Sequence, residues 1–562
     1  MSAETLITDN LDLWTGAITK RITSGRGSNK KIELTGIHKL RHLILELACH
    51  GQIVPQLASE TPACEVLEGL QLRRKELIRK RKIKNSKPLP NVSADEKPSK
   101  LPSNWVWTRL GSIAEISPRN CAEDATEASF VPMPLITTSY HGDHGHETKP
   151  WGKIKKGYTH FADGDVALAK ITPCFENSKA AVFRGLINGL GAGTTELHVA
   201  RPLSNAVNPY YLILFLKSPR FLIEGQKVMT GSAGQKRVPK DYFSSTPLPL
   251  PPTKEQHRIV QKVDELMALC DRLEQQTSDQ IAAHDTLVDT LLGTLRQSQN
   301  ATELAENWTR LAANFDTLFT TEQSIGKLKQ TILQLAVMGR LVEQDAGDEP
   351  VITCLGSYGI KTTEHVRPGW AQVRLGDLGE IIGGATPSKR NPNFWHGEIP
   401  WVSPKDMKTD QISDSQEHIS VEAITNSPLR IIPSQSLLMV VRGMILAHSF
   451  PVAMTTAPVT INQDMKALVP PSDISQYLLL FLKARKATVT DLVDRSSHGT
   501  CKLKSDKLWA LPVELPPIRE QERILRRVDE LMALCDQLKE QLNQASETRC
   551  QLADAVVEGA LN

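Results

Sequence analysis

Nine consecutive residues, VDELMALCD, occur twice in this chain, at Val263 to Asp271 and at Val528 to Asp536, each behind a Pro-Pro and a Glu-Gln pair. Over the wider stretches Pro247 to Gln276 and Pro512 to Gln541, at a constant offset of 265, 19 of 30 positions are identical. Chance does not supply such agreement, so the chain is internally duplicated. In the first copy Ile259, Val263, Leu266, Cys270 and Leu273 recur at alternating steps of four and three, and Ile524, Val528, Leu531, Cys535 and Leu538 repeat the pattern. That spacing lays one apolar seam along a helix. The seam continues through Val288, Leu291 and Leu295 and, in the second copy, through Leu542, Ala545, Leu552 and Val556. Two helices of roughly 40 residues follow, each about 60 Å long at 1.5 Å per residue. Pro251-Pro252 stops whatever precedes the first, and Thr253 with Gln256 has the pattern of a capping box. A lone amphipathic helix of that length would expose its seam, so the shared sequence favours packing of the two against each other as a coiled coil. Two separate core helices are the alternative.

A second repeat lies at offset 288, where KLRHLILELACHGQIVPQ from Lys39 matches KLKQTILQLAVMGRLVEQ from Lys327. Both read as helices, with Gly51 and Gly339 marking their ends. Glu60-Thr61-Pro62 likewise falls on Asp348-Glu349-Pro350. The helix that follows the central seam helix is thus copied at the N-terminus, and joining the chain ends would produce a circle of two equal halves. We expect neighbouring termini and pseudo-two-fold symmetry.

Between the helical parts sit two segments of nearly equal length. Trp105, Arg109, Leu110, Gly111, Glu115 and Ile116 match Trp370, Arg374, Leu375, Gly376, Glu380 and Ile381, and YLILFLK from Tyr211 matches YLLLFLK from Tyr477. Their interiors barely agree. GDVALAKITP from Gly164 and SLLMVVRG from Ser436 are short apolar runs, expected as buried strands. The expected class is α/β: two mixed α/β modules joined by long antiparallel helices. The boundaries are a helical region over 1–100, a first module over 101–250, a helical spacer over 251–366, a second module over 367–515 and a final helix over 516–562.

At 562 residues the chain is too long for one core. Its net charge of +3 makes polyanion binding a matter of local patches. The clearest is Arg73 to Lys87, with nine Lys or Arg against one Glu, a pattern whose default is a solvated helix face. Nine cysteines include no CxxC pair, so buried thiols in a reducing cytosol explain them better than disulfides or zinc. No apolar run approaches the roughly 20 residues of a membrane span, and the N-terminus lacks a signal peptide's apolar segment. A soluble cytoplasmic protein without a membrane partner is expected.

Catalytic motifs are weak. GLGAG, Gly189 to Gly193, is followed by Thr194-Thr195-Glu196 and a strand-like stretch where a cofactor-binding turn needs a helix. Asn391-Pro392-Asn393-Phe394 lacks the second proline of an amino-methyltransferase motif, and there is no Walker A sequence. Glu147-Thr148-Lys149 and Asp406-Met407-Lys408 mimic part of a nuclease site, but acid-x-Lys triplets are expected by chance at 23% charged residues. In HGDHGHE, His141, His144 and His146 have ligand chemistry, against a polar loop as the plainer reading, and no metal is assigned.

The loop GSAGQKR, Gly231 to Arg237, occupies the same place in its module as SSHGTCK, Ser496 to Lys502. Small residues let the backbone approach closely, while Gln, Lys and Arg offer donors suited to base edges and phosphates. The candidate DNA-contacting residues are Ser232, Gln235, Lys236 and Arg237 in the first loop and Ser497, His498 and Lys502 in the second. Lys170, Lys405 and Arg442, beside the apolar stretches of the modules, complete the set. A plain surface turn is the alternative for each loop.

GGATPSKRNPNFWHGEIPWVSPKDM from Gly383, GDVALAKITPCFENSK from Gly164, the two PPxxEQxRI openings and the VDELMALCD copies resemble the specificity subunits of type I restriction-modification systems. GRGSNKKIEL from Gly25 and the extended N-terminus look like one subgroup. The resemblance covers nearly the whole chain. It implies two target recognition domains separated by helical spacers, with no catalytic centre and no cofactor in this subunit. It further implies double-stranded DNA as ligand and two modification subunits carrying S-adenosylmethionine for adenine N6 methylation. Restriction or motor subunits using ATP and Mg complete the expected partners. Individual base contacts do not carry over, because recognition domains differ between members. A self-sufficient DNA methyltransferase or nuclease, and a coiled-coil interaction protein without DNA, remain the alternatives.

Overall fold

The computed structural model describes residues 3–21, 31–85, 87–232, 234–299, 301–362, 367–495 and 501–561. The chain divides into two compact units. One is built on Asn29–Asp279 with the N-terminal segment and Ser546–Asn562, the other on Gln280–Ala545.

In unit 1, helix α1 (Thr35–His50) is followed by α2 (Ala63–Arg79). Strands β1 (Val106–Arg109), β2 (Ala114–Ile116), β3 (Glu127–Val131), β4 (Glu147–Pro150), β5 (Thr159–Ala162), β6 (Val166–Ala169), β7 (Ala180–Val182), β8 (Leu190–Gly193) and β9 (Leu197–Pro202) come next. Helix α3 (Pro209–Leu216), two further short helices, β10 (Pro247–Leu250) and the start of the 45-residue α4 (Thr253–Gln297) follow. The sheets run β4-β3-β8-β5 and β2-β9-β6-β7, with β10-β1 as a separate pair. The apolar run at β6 arises because both its faces are covered. Val166 and Leu168 enter one core with α3, whereas Ala167 and Ala169 enter a second with Phe161 and Phe183. The GLGAG run forms β8, parallel to β3 and antiparallel to β5. A Cβ on Gly193 would stand 2.3 Å from the Val131 carbonyl oxygen, so this glycine serves close strand packing.

Unit 2 repeats the plan with α5 (Glu322–Val337), α6 (Val351–Ser357) and β11 (Ala371–Arg374). There follow β12 (Glu380–Gly383), β13 (Ile399–Val402), β14 (Gln411–Ile412), β15 (His418–Ile419), β16 (Leu437–Val440), β17 (Val452–Thr455), β18 (Thr460–Ile461) and β19 (Met465–Val469). Helix α7 (Ser472–Ala484), the hairpin β20 (Val493–Arg495) with β21 (Cys501–Leu503), β22 (Pro512–Leu515) and the 44-residue α8 (Ile518–Leu561) close the chain. The main sheet runs β12-β19-β16-β17-β14, beside β15-β13-β18 and the pair β11-β22. All four residues of β16 are buried.

The duplication extends to individual contacts. Buried Trp105 donates from Nε1 to Glu255 at 3.0 Å in unit 1, and Trp370 donates to Glu520 at 3.1 Å in unit 2. Arg258 pairs with Glu60 as Arg523 pairs with Asp348. Tyr211 donates to the Pro249 carbonyl, and Tyr477 to that of Glu514. Lys39 meets Asp554 at 2.6 Å, and Lys327 meets Asp289 at 2.7 Å. Within unit 1, Ser546 Oγ also donates to Ile18 O at 2.8 Å, so segments near the two chain ends meet as the repeats imply. Gly51 and Gly339 end α1 and α5 at φ of 71° and 61°. A side chain on either would strike Trp105 or Trp370.

Two expectations need correction. The capping box is not formed: α4 starts at Thr253 itself, whose hydroxyl donates to the Ala206 carbonyl. Gln256 is drawn to the carbonyls of Pro251 and Ala206 and to the Asn208 N–H, backbone groups that need partners where water is excluded. The later seam of α8 also shifts: Leu552 is 53% exposed and Ala545 is exposed, while Ala553 is fully buried. A straight helix drifts about 20° per heptad from a 3.5-residue repeat, enough to move the buried stripe by one position. Earlier in the pattern Ile259, Val263, Leu266, Cys270, Ile524, Val528 and Cys535 are buried, with Leu273, Leu531 and Leu538 half-buried.

Candidate nucleic-acid interface

In unit 1 the chain leaves β6 at Lys170 and is met there by the loop that returns from Thr230 to Val238. Val238 N–H donates to Lys170 O at 2.8 Å, and Lys236 O accepts from Thr172 N–H at 2.9 Å. Lys170, Gln235, Lys236 and Arg237 are therefore gathered at one end of the central strand. Unit 2 repeats this at the end of β16, where Leu503 N–H donates to Val441 O at 2.9 Å and Arg442 bridges Lys502. Arg237 and Lys502, 265 positions apart, hold the same place on the scaffold. Ser497 and His498 lie outside the described residues, as does Gly25 to Lys30 of the N-terminal motif.

The side chains divide into bound and free. Both Nε and Nη2 of Arg237 donate to Glu196 at 2.9 Å, and Nη1 donates to Gln235 O at 3.0 Å. Its guanidinium holds Glu196 below the usual carboxylate range, and Glu196 raises Arg237 in return. Arg237 thus stiffens the loop. Ser232, Gln235 and Lys236 are exposed. In unit 2 Arg442 pairs with Asp464 at 3.0 Å, whereas Lys502 is exposed and makes no ion pair among the described residues. Exposed Lys405 follows β13, which is tied to the same end of the unit: Asn462 N–H donates to Val402 O, and Asn462 Oδ1 accepts from Asp464 N–H. Glu196 and Asp464 are the contributors that sequence reasoning missed. Each faces its arginine across a long chain separation, which no local pattern records.

The catalytic look-alikes have other employment. Asp406 accepts from the N–H and hydroxyl of Ser403 and from Gln416 N–H, capping a turn. Glu147 pairs with Lys149 on exposed β4. His141 faces Asp264 of α4 at 3.5 Å, and His144 packs on Phe183 while accepting from Arg184 N–H. Among the described residues no three His, Cys, Asp or Glu side chains converge as a metal site. No described helix is long and apolar enough to cross a membrane.

A duplicated framework, constant in its buried contacts and carrying a basic residue, Arg237 or Lys502, at the same place in each copy, defines a scaffold for recognition. The family described as "Type I restriction modification DNA specificity domain" matches residues 102–283 and 368–547. Over the full length of both chains, this one is 44% identical to the EcoAI specificity subunit and 42% identical to the EcoEI specificity subunit, both type I restriction enzymes of Escherichia coli. The HsdS subunit of Thermoanaerobacter tengcongensis, at 19% identity, aligns with a TM-score of 0.44 over 83% of this chain and 98% of its own. The chain belongs to the type I restriction-modification specificity subunits, and it is the non-catalytic component that carries DNA target recognition.

Proposed function

We propose that the chain reads a bipartite, asymmetric DNA target, one half through each α/β region, and docks two modification subunits and the restriction or motor subunits. The observation that carries this is that a basic residue, Arg237 in unit 1 and Lys502 in unit 2, holds the same scaffold position beside the end of the central strand, with different neighbours in each. S-adenosylmethionine, ATP and Mg then belong to the partners, and the complex works in the cytoplasm. Purified chain given labelled S-adenosylmethionine and target DNA should transfer no methyl group until modification subunits are added. Transfer by the chain alone would favour a self-sufficient methyltransferase.

Lys236→Ala and Lys502→Ala should each weaken binding and lower the slope of log affinity against log salt by roughly one, if each neutralises one phosphate. Gln235→Ala should relax sequence preference by about 1 to 3 kcal/mol, the worth of a bidentate adenine contact. Competition titrations at several salt concentrations measure both. Unchanged slope and preference would leave the loops as plain turns.

In this reading the length of the two long helices sets the distance between half-sites. Symmetric readers place half-site centres roughly 10 base pairs apart, which leaves a non-specific gap of around 6 to 8 between half-sites of a few base pairs. Four residues added after both Gln276 and Gln541 lengthen each helix by about 6 Å, under two base pairs at about 3.4 Å each. The insertion also rotates the seam by about 40°. The expected methylome keeps both half-sites and widens the gap by one or two base pairs, at reduced activity. An unchanged gap at full activity would remove the helices as the ruler.

A further inference from the structure

Unit 1 carries a second basic surface that the recognition loops do not use. From Arg73 onward α2 and the residues after it expose Arg73, Lys75, Arg79, Lys80, Arg81, Lys82, Lys84 and Lys87. Glu76 answers only Arg73 and Lys80, which together hold its carboxyl down to about 2. Among the described residues Lys75, Arg79, Arg81, Lys82, Lys84 and Lys87 make no ion pair, although Lys84 feels Glu115. The strip is not a loose tail. Leu70 is buried in the core, Leu77 and Ile83 pack against it, and Arg74 donates to the Gly111 carbonyl.

The internal repeat shows that the scaffold does not require this feature. Helices α2 and α6 start at equivalent positions, yet α2 has 17 residues and α6 has 7. The stretch after α6, Tyr358 to Thr362, holds a single lysine. The Trp–Glu and Arg–acid contacts of unit 2 form regardless.

Among the described exposed residues from Arg73 to Lys87, all but Asn85 are cations. Protein–protein contact surfaces need apolar area and are depleted of lysine, whereas protein–DNA surfaces are polar and strongly positive. The strip and the recognition loop also lie at opposite ends of one strand. Arg74 rests on Gly111, in the short helix leading into β2, and β2 pairs with the Pro202 end of β9. Glu196, which holds Arg237, precedes the other end. Six residues of strand span about 20 Å, or about six base pairs at 3.4 Å each.

We propose that Arg73 to Lys87 binds the phosphate backbone of duplex DNA outside the bases read by unit 1, adding affinity without sequence preference. This rests on the DNA-reading function above. The test uses the full chain assembled with its modification subunits, and two duplexes that carry the target with flanks of 2 or 15 base pairs beside the half read by unit 1. Wild type should bind the long duplex more tightly, with a steeper salt dependence. The triple variant Arg79→Gln, Lys82→Gln, Lys87→Gln should lose that advantage and lower the slope on the long duplex by up to about 2.7, at about 0.9 per phosphate contact. Preference for target over scrambled DNA and the melting temperature should not change. Target preference without flank dependence in wild type, or flank dependence retained in the variant, would overturn the proposal and leave the recognition function standing. Loss of modification subunits from the variant without a change in slope would also overturn it, assigning the strip to protein docking. No preference for target DNA in wild type would instead be a failure of the recognition function itself.

Discussion

Exchanging residues 101–250 for the corresponding stretch of a relative is expected to change one half of the methylated sequence and leave the other half as it was. The exchanged stretch opens near β1 and closes at β10, which pair in register from Val106↔Leu250 to Arg109↔Pro247, so the cut falls at a closed stem. The core around Phe161 and Phe183 lies wholly within it, the core around α3 is completed by Cys49, Ala63 and Leu70 from outside it, and the second unit has a separate one. Each altered base pair is worth about 1 to 3 kcal/mol of discrimination, so a half-site of three should switch almost completely. Genome-wide methylation mapping reads both halves at once. If both changed together, the two regions would not be independent readers.

Trp370→Ala is expected to destabilise unit 2 by about 3 to 5 kcal/mol, the range for removing a buried large aromatic side chain. Trp370 is 1% exposed and is the donor to Glu520, whose other oxygen, Oε1, is buried without a partner. Trp370→Phe keeps most of the volume and should cost about 1 to 3 kcal/mol, the penalty for a buried acceptor left unmet. Burial raises the Glu520 pKa above its ordinary value. The folded state therefore holds this proton more tightly than the unfolded chain, and the resulting stability is present at low pH and lost as pH rises through the folded pKa. Glu520→Gln keeps an acceptor for the indole and removes the charge, so it should flatten that dependence and raise the melting temperature more at pH 8 than at pH 5. Thermal melts of the three variants across this range check the account. An undiminished melting temperature in Trp370→Ala would contradict the structural role given to the repeated Trp–Glu contact.

The long helices were legible because a four-three apolar alternation leaves a mark on every turn, and β6 and β16 because strands covered on both faces read as unbroken apolar runs. The meeting place of Lys170 with the 231–237 loop was partly legible, since the loop precedes the last strand of each region. Its electrostatics were not. Arg237 looks as available as Lys236 in sequence, yet Glu196 takes up its guanidinium, and Asp464 does the same for Arg442. Such pairings depend on strand register. Thr253 and Gln256 misled for a related reason: their side chains answer buried backbone groups of the segment around Ala206 to Asn208, brought close only by the fold. The one-residue shift at Leu552 reflects accumulated helical drift, which a pattern read over single heptads does not register.

The central claim is that this chain confers a two-part DNA specificity, and the most direct measurement is sequencing of genomic DNA for methylated adenines with the gene present and deleted. A single gapped motif, its halves separated by a fixed run of unspecified bases, should be methylated in the first strain and unmethylated in the second. An unchanged methylome after deletion, with the modification subunits intact, would contradict it.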